Sequence, residues 1–431
     1  MRFSALLAVL IALPLSAAVV GISTTPQSIT QERINQLPAA QRKAWTEYLN
    51  RSNAQKRADR AALAAEIASL KSPAPPPPPE GHNARGLALD KPNEFYATPE
   101  ARHAADVVLS YQIPNGGWSK NLDMTQTPRQ PGQSYTTNNI SKHLGPEDFD
   151  APRDPSWNYV GTLDNDATIT QIQFLARVQS QAPAPDRARY QQSILRGIQY
   201  MLNAQFPNGG FPQVWPLEGG YHDAITFNDD AMTQALGVLQ HVANADPNYA
   251  FAPAPFRAQA ASAVTRGIDC ILRTQITIDG HPTVWAQQHD PLSLAPEAGR
   301  NFEPAALVSA ESAAIVRFLM ALPHPTPAVV AAVYNATTWL EAHKIMDHTW
   351  GNTNRDRVLT PQPGAGPLWP RYTSPTTGKP IFGDRDKSIH DDVTELSLER
   401  RRGYAWYNSS AIPALEEFAT WSKQHPAPRI K

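Results

Sequence analysis

One cysteine, Cys270, is present in 431 residues, which excludes an internal disulfide framework. It falls in the apolar stretch Ile268 to Leu272 on an expected helix, with no neighbour that would lower its pKa, so it reads as core. An excess of either charge is also missing. With 38 basic and 39 acidic residues the net charge is -1, which makes no electrostatic case for nucleic acid and requires any anion site to be local. Long hydrophobic runs are confined to the start, where Arg2, the apolar stretch Phe3 to Leu15 and the small residues Ser16-Ala17-Ala18 read as a secretory signal at residues 1–18. Pro14 interrupts that run and it is short for a membrane span. No Gly-x-Ser-x-Gly elbow, Walker loop or Gly-x-Gly-x-x-Gly occurs, and His and Cys show no zinc spacing.

What is plentiful is proline, 41 residues of it. Residues 19–72 are rich in helix formers and read as a helical arm, a hairpin or spacer. Pro73 to Pro79 then form a stiff extended stretch, so residues 73–84 are expected to be a linker, with the main domain at 85–431.

From Asp90 onward a unit repeats: an apolar-faced helix ending in Gln, then a turn with Asn-Gly-Gly or Asp-Gly. Ala101 to Gln112 leads into Asn115-Gly-Gly-Trp118, Ile194 to Gln205 into Asn208-Gly-Gly-Phe211, and Val264 to Gln275 into Asp279-Gly280. Partner helices are expected from Ala167, Ala231 and Ser312. Stacked α-hairpins follow, and their uneven spacing favours an all-α toroid over a regular solenoid. Aromatics gather near the turns (Trp118, Phe211, Trp215, Trp285, Trp369, Trp406). Those on loops are candidates for sugar platforms and the others for packing.

Two helix starts carry more acid than capping needs. Asp164, Asn165 and Asp166 precede Ala167; Asn228, Asp229 and Asp230 precede Ala231, with His222 and Asp223 upstream. All-oxygen ligands at two junctions that the repeat brings to one face fit a hard cation, calcium before magnesium. Three arginines, Arg300, Arg371 and Arg385, lie on expected loops beside Gly, Pro or aromatic residues, where guanidinium forks would meet carboxylates of an acidic ligand.

Eight stretches in order, namely Asn115-Gly-Gly-Trp-Ser-Lys120, Leu163-Asp-Asn-Asp-Ala-Thr168, Pro207-Asn-Gly-Gly-Phe-Pro-Gln213, Ile225-Thr-Phe-Asn-Asp-Asp-Ala-Met232, Thr283-Val-Trp-Ala-Gln-Gln-His-Asp290, Arg371-Tyr372, Pro380-Ile-Phe382 and Arg402-Gly-Tyr-Ala-Trp-Tyr407, resemble family-10 polysaccharide lyases, the pectate lyases built as an α/α toroid. The resemblance spans roughly Leu87 to Tyr407 and omits the arm. It implies calcium-dependent β-elimination of polygalacturonate. Carried over by motif, Arg300 would be the base. Arg371 and Arg385 would hold substrate, with Trp118 and Lys120 as further contacts, although a solvated Lys120 is the simpler reading. Asp166 and Asp229 would bind or approach calcium, with Asp164 and Asp230 close by.

An arginine base requires its charged form to be disfavoured by neighbouring positive charge and a dry pocket, which implies an alkaline optimum. Two rivals remain at this stage. A glycoside hydrolase would use Asp166 with Asp229 or Asp230 as acid and base, and a non-catalytic protein would merely bind acidic glycan. The oligomeric state stays open, a monomer being expected. Asn139, Asn335 and Asn408 open Asn-x-Ser/Thr triplets.

Overall fold

Apolar residues at helical spacing, cut by Gly- and Pro-bearing turns, give α1 (Gln31–Asn35), α2 (Ala39–Ser69), α3 (Pro99–Ser110), α4 (Ile169–Gln181), α5 (Ala184–Ala204), α6 (Ala231–Ala243), α7 (Ala254–Thr274), α8 (Ala310–Met320), α9 (Pro327–Ala342), α10 (Leu398–Gly403) and α11 (Ala411–Trp421). The computed structural model describes residues 19–82, 86–145 and 147–428. The expected signal at 1–18 and the expected boundary at Arg85 lie outside the described residues.

The helices pack as antiparallel pairs in two rows, α3, α5, α7, α9 in one and α4, α6, α8, α11 in the other. The repeated Gln explains how the first row is spaced. Gln112 Nε2 donates to the carbonyls of Gly116 (2.8 Å) in its own turn and of Ser193 (2.9 Å) on α5. Gln205 reaches Gly209 (3.0 Å) and Ala263 (2.8 Å) on α7, and Gln275 reaches Thr283 (2.9 Å) and Ala332 (3.0 Å) on α9. Each amide therefore satisfies a turn and the next helix at once. Gly116 and Gly209 are required where the turn meets that helix. Both have φ near +95°, at 98° and 95°, and an added Cβ would stand 2.3 Å from the Arg196 carbonyl oxygen and 2.0 Å from that of Arg266.

Short ladders, absent from the all-α expectation, lace the loops together. Ile225–Thr226 pairs with Gln288–His289, which pairs with Pro296–Glu297, tying the Asp229 loop to the Arg300 loop. Leu307–Val308 pairs with Tyr372–Thr373, bringing Arg371 to the start of α8. Two-residue strands are too short to show a two-residue period, which is why the sequence hides them.

The arm is docked on the body. Trp45 and Tyr48 of α2 pack on Phe206 (ring centroids 5.4 and 5.2 Å), and Tyr48 Oη donates to the Ala204 carbonyl at 2.8 Å. Asp59, fully buried on α2, accepts from Asn115 Nδ2 at 2.8 Å, so the arm grips the first Asn-Gly-Gly turn. Val19–Ile22 pairs with Ser388–His390. The proline stretch 73–79 has no regular structure, and Gln133 Nε2 donates to the Pro76 carbonyl at 3.0 Å. Trp45→Ala should cost about 3–5 kcal/mol, the usual toll for emptying a buried aromatic site. Denaturant unfolding checks this, and an unchanged midpoint would mean that the arm packs without stabilising the body.

Candidate active site

A similar turn is built twice, with Asp and Asn exchanged in the first two places and Asp third in both. Asn165 and Asp166 have φ of 50° and 60°; Asp229 and Asp230 have 51° and 57°. Consecutive left-handed residues are costly for most side chains and tolerated by Asn and Asp. Asp164 and Asn228 hold the first, buried place of each turn. None of these side chains caps its helix: neither Thr168 before α4 nor Asp230 before α6 makes a side-chain cap bond. The carboxylates are therefore free for other work.

Asp164 and Asp229 hydrogen-bond each other, so the two helix starts meet carboxyl to carboxyl. Burial, then the charge of Asp164, raises Asp229 to about 7. Burial would raise Asp164 as well, but the Lys120 ammonium outweighs it and holds Asp164 low. The pair thus favours holding one proton, with Asp229 the more readily protonated of the two. Gln213 Nε2 donates to Asp164 Oδ1 at 2.7 Å. Asp166 stands to one side, accepting from Gln234 Nε2 at 2.8 Å. Asp230 lines a pocket with Glu311, Arg317 and Arg371, and is raised to about 6 by burial, then by Glu311 and Asp166. The pair in contact is Asp164 with Asp229, while Asp229 and Asp230 line one pocket and Asp166 acts on Asp230; among the described residues no group of three or more His, Cys, Asp or Glu is gathered tightly enough to form a metal cluster by itself.

Lys120 is no solvated lysine. Its side chain is 12% exposed, Nζ lies 2.5 Å from Asp164 Oδ2, and it sits 3.4 Å from the Tyr159 ring centroid. Arg300 is close enough to feel the charges of Asp164 and Asp229, and Arg371 that of Asp230. Arg371 pairs with Glu311 (2.5 Å) and lies over Tyr404 (4.8 Å), while its Nε finds no hydrogen-bond partner in the protein. Arg385 Nε pairs with Glu399 at 2.8 Å. Phe302 is the shared floor of three guanidinium groups, Arg300 (4.9 Å), Arg385 (5.3 Å) and Arg400 (4.2 Å).

The surroundings of Arg300 overturn one expectation. Its base is packed in protein while 36% of the side chain stays accessible at the groove. Burial alone would lower its pKa, but Glu303, 2.6 Å away, outweighs burial and raises it well above the ordinary arginine value. Glu303 in turn would be raised by burial, yet Arg300 holds it at about 2. The nearest partner is negative, where the sequence argument required positive charge.

Further corrections concern aromatics and upstream residues. Trp118 is fully buried, its Nε1 donating to the Val108 carbonyl at 2.8 Å, so it touches no ligand; Phe211, Trp215, Trp285, Trp369 and Trp406 are buried likewise. Trp285 and Trp369 repeat the Trp118 bond, to Ile271 (2.7 Å) and Leu340 (2.7 Å). The rings beside the charged groups are instead Tyr159, Tyr372, Tyr404 and Phe302. Asp223 turns away from Asp229 to accept from the amides of Ile29 (3.1 Å) and Gly219 (2.7 Å), holding the arm. Cys270 is core as expected, with burial pushing its thiol up to about 12. Sequence reasoning missed Glu303 and Glu311; each lies near a named feature, Glu303 three residues past Arg300 and Glu311 on the first turn of α8.

A model of the pectic acid lyase family matches residues 112–412. The chain belongs to the pectic acid lyase family. This lyase is similar to a family 10 polysaccharide lyase from Cellvibrio cellulosa, 31% identical with a TM-score of 0.64 over 79% of this chain and 99% of that one. It is also similar to an aspartate-to-alanine mutant of family 10 polysaccharide lyase from the same organism in complex with trigalacturonic acid, 32% identical with a TM-score of 0.63 over 78% and 99%. None of the curated sequences compared with it matches. It is a polysaccharide lyase, and the readings as hydrolase or simple binder fall. Among the described residues no helix is long and apolar enough to cross a membrane.

Proposed function

We propose that this lyase cleaves polygalacturonate by calcium-dependent β-elimination, with Arg300 as base and a 4,5-unsaturated oligogalacturonide as product. The paired rows of helices form an incomplete α/α toroid at residues 85–431, preceded by the arm at 19–72 and the linker at 73–84, and residues 1–18 direct export. The observation that carries the reading is the Asp164–Asp229 pair within charge reach of Arg300, beside Lys120 and Arg371.

A shared proton marks a place where two carboxylates would both ionise if a cation replaced it. Two buried oxygen donors fit a hard divalent ion, provided that substrate and water complete its shell. Calcium would be held by Asp164 and Asp229, with Asp166 and Asp230 nearby, and would supply stabilisation of the charge that develops on the uronate carboxylate. Lys120, Arg371 and Arg385 aim further positive charge at substrate carboxylates. Arg300, once neutral, takes the proton from C5. The C5–H electron pair forms the C4–C5 double bond, the bond from C4 to its glycosidic oxygen breaks, and the departing oxygen is protonated. The neutral fraction of Arg300 grows with pH, and Glu303 moves that growth to still higher pH, so the optimum should be alkaline although the neighbouring charge is opposite to the one expected.

Polygalacturonate incubated with the protein should yield new ultraviolet absorbance from the unsaturated product, abolished by chelation and restored by calcium. Reducing ends without that absorbance would defeat the elimination chemistry. Absorbance indifferent to chelation would defeat the metal assignment alone.

A further inference from the structure

The arm builds one wall of a second pocket, a cavity of about 370 Å3 between α2 and the domain, within the roughly 300–1,000 Å3 of small-ligand sites. Thr25, Pro26, Lys56 and Arg60 come from the arm, outside the segment matched by the family model. The opposite wall comes from the loop around Phe149 and Arg153 and from Glu218 to His222.

The pocket adjoins the catalytic groove on two sides. Tyr221 Oη bonds Tyr159 Oη at 2.9 Å, and Tyr159 carries Lys120 on its face. The Phe149 amide donates to Asn301 at 2.9 Å, next to Arg300, and Lys387 of the pocket follows Arg385 by two residues while lying 4.8 Å from the Phe149 ring. The cavity and the proposed groove thus share a boundary made by these residues.

Its chemistry is mixed. Arg60 is balanced by Asp154 at 2.7 Å and Lys387 by the more distant Glu147 at 3.9 Å. Arg153 donates to a hydroxyl, Ser28 Oγ at 2.9 Å, and its guanidinium lies against Gly219, where a Cβ would come within 2.3 Å of it. Two buried polar atoms, His222 Nε2 and Glu218 Oε1, find no hydrogen-bond partner in the protein, and His222 is 7% exposed. Burial keeps His222 neutral, lowered to about 4, and raises Glu218 to about 7, so Glu218 carries only part of a carboxylate's charge near neutral pH. With Arg60 and Lys387 facing acids, Arg153 bonded to a hydroxyl, and His222 and Glu218 each leaving a polar atom unbonded, the pocket suits a sugar acid, which has one carboxylate among several hydroxyls, better than a multiply charged phosphate. The wall is fixed: Gln27 N donates to Glu297 at 2.6 Å, Gly220 N to Ser28 Oγ at 2.7 Å, and Arg33 pairs with Asp290.

We propose that this arm-walled pocket is an additional sugar-binding subsite, taking a further uronate ring of the polymer with Arg153 on its carboxylate. The inference rests on the groove being a pectate site. The test uses the full chain carrying Arg300→Ala, with calcium present and calorimetric titration of tri- and hexagalacturonate. Hexagalacturonate should bind about tenfold tighter than trigalacturonate, the worth of one charge-assisted contact. Arg153→Ala should remove that gain and leave trigalacturonate within about twofold. Thr25→Trp, which plugs the cavity from an exposed arm position and spares every charge, should do the same. Equal affinity for both oligomers before these changes, a gain that survives both variants, or equal loss for both oligomers would overturn the subsite. Failure to bind either oligomer would overturn the reading of the groove instead.

Discussion

Arg300→Ala is expected to lower turnover of polygalacturonate by about 10^3-fold or more, with a far smaller change in substrate affinity, because a positioned base and a charge stabiliser are lost together. Steady-state ultraviolet assays beside binding titrations check this, and turnover within tenfold of the parent would place the base elsewhere. The variant leaves Glu303 buried without its partner, which lowers stability. Arg300→Ala with Glu303→Gln removes the orphaned charge and should be equally inactive, separating chemistry from folding. Glu303→Gln alone is more telling. Glu303 raises the pKa of Arg300, so neutralising it should move the rising alkaline limb of the pH profile to lower pH. A limb that stays in place would mean that the proton acceptor does not feel Glu303, and Arg300 does.

The second large effect concerns the proton between Asp164 and Asp229. On the proposed function calcium displaces it, so affinity should fall about tenfold for each pH unit below about 7. Calorimetry with trigalacturonate on the Arg300→Ala chain reads this directly, and Asp229→Asn should weaken calcium by about 100-fold. The stability consequence has a definite sign. Asp229 is raised from 3.8 to about 7, so its contribution is complete below the unfolded value and is lost as pH climbs through the folded one. In chelator the unfolding temperature should therefore decline across that window, and calcium should reverse the decline. Calcium affinity that stays flat from pH 5 to 8 would put the ion at other ligands.

Much of this site was legible because its residues sit in stretches whose backbone demands are strict. Asn115-Gly-Gly and Asn208-Gly-Gly marked the turns, and the acids before Ala167 and Ala231 marked the helix starts. What stayed hidden depended on geometry across the chain. The two turns carry left-handed residues at matching places, but the first has its other acid in the first place and the second in the middle place, and it is Asp164 that meets Asp229. Lys120 looked solvated because nothing adjacent in sequence announces Asp164 and the Tyr159 ring. Trp118 looked like a platform because a turn aromatic is exposed or buried according to the helix that it folds back upon, and here it folds back on α3 and donates to the Val108 carbonyl. The arm seemed a spacer because proline stiffness was visible and the Trp45–Phe206 contact was not.

Gly116 ties the rim of the molecule to its reactive centre. The Arg196 carbonyl on an outward helix leaves no room for a side chain there, and four residues later the same turn delivers Lys120 to Asp164. On the proposed function, catalytic output is thereby coupled to the seating of α5. A bulky change near Arg196, far from any sugar, would displace the lysine and be recorded as an activity defect with an intact groove.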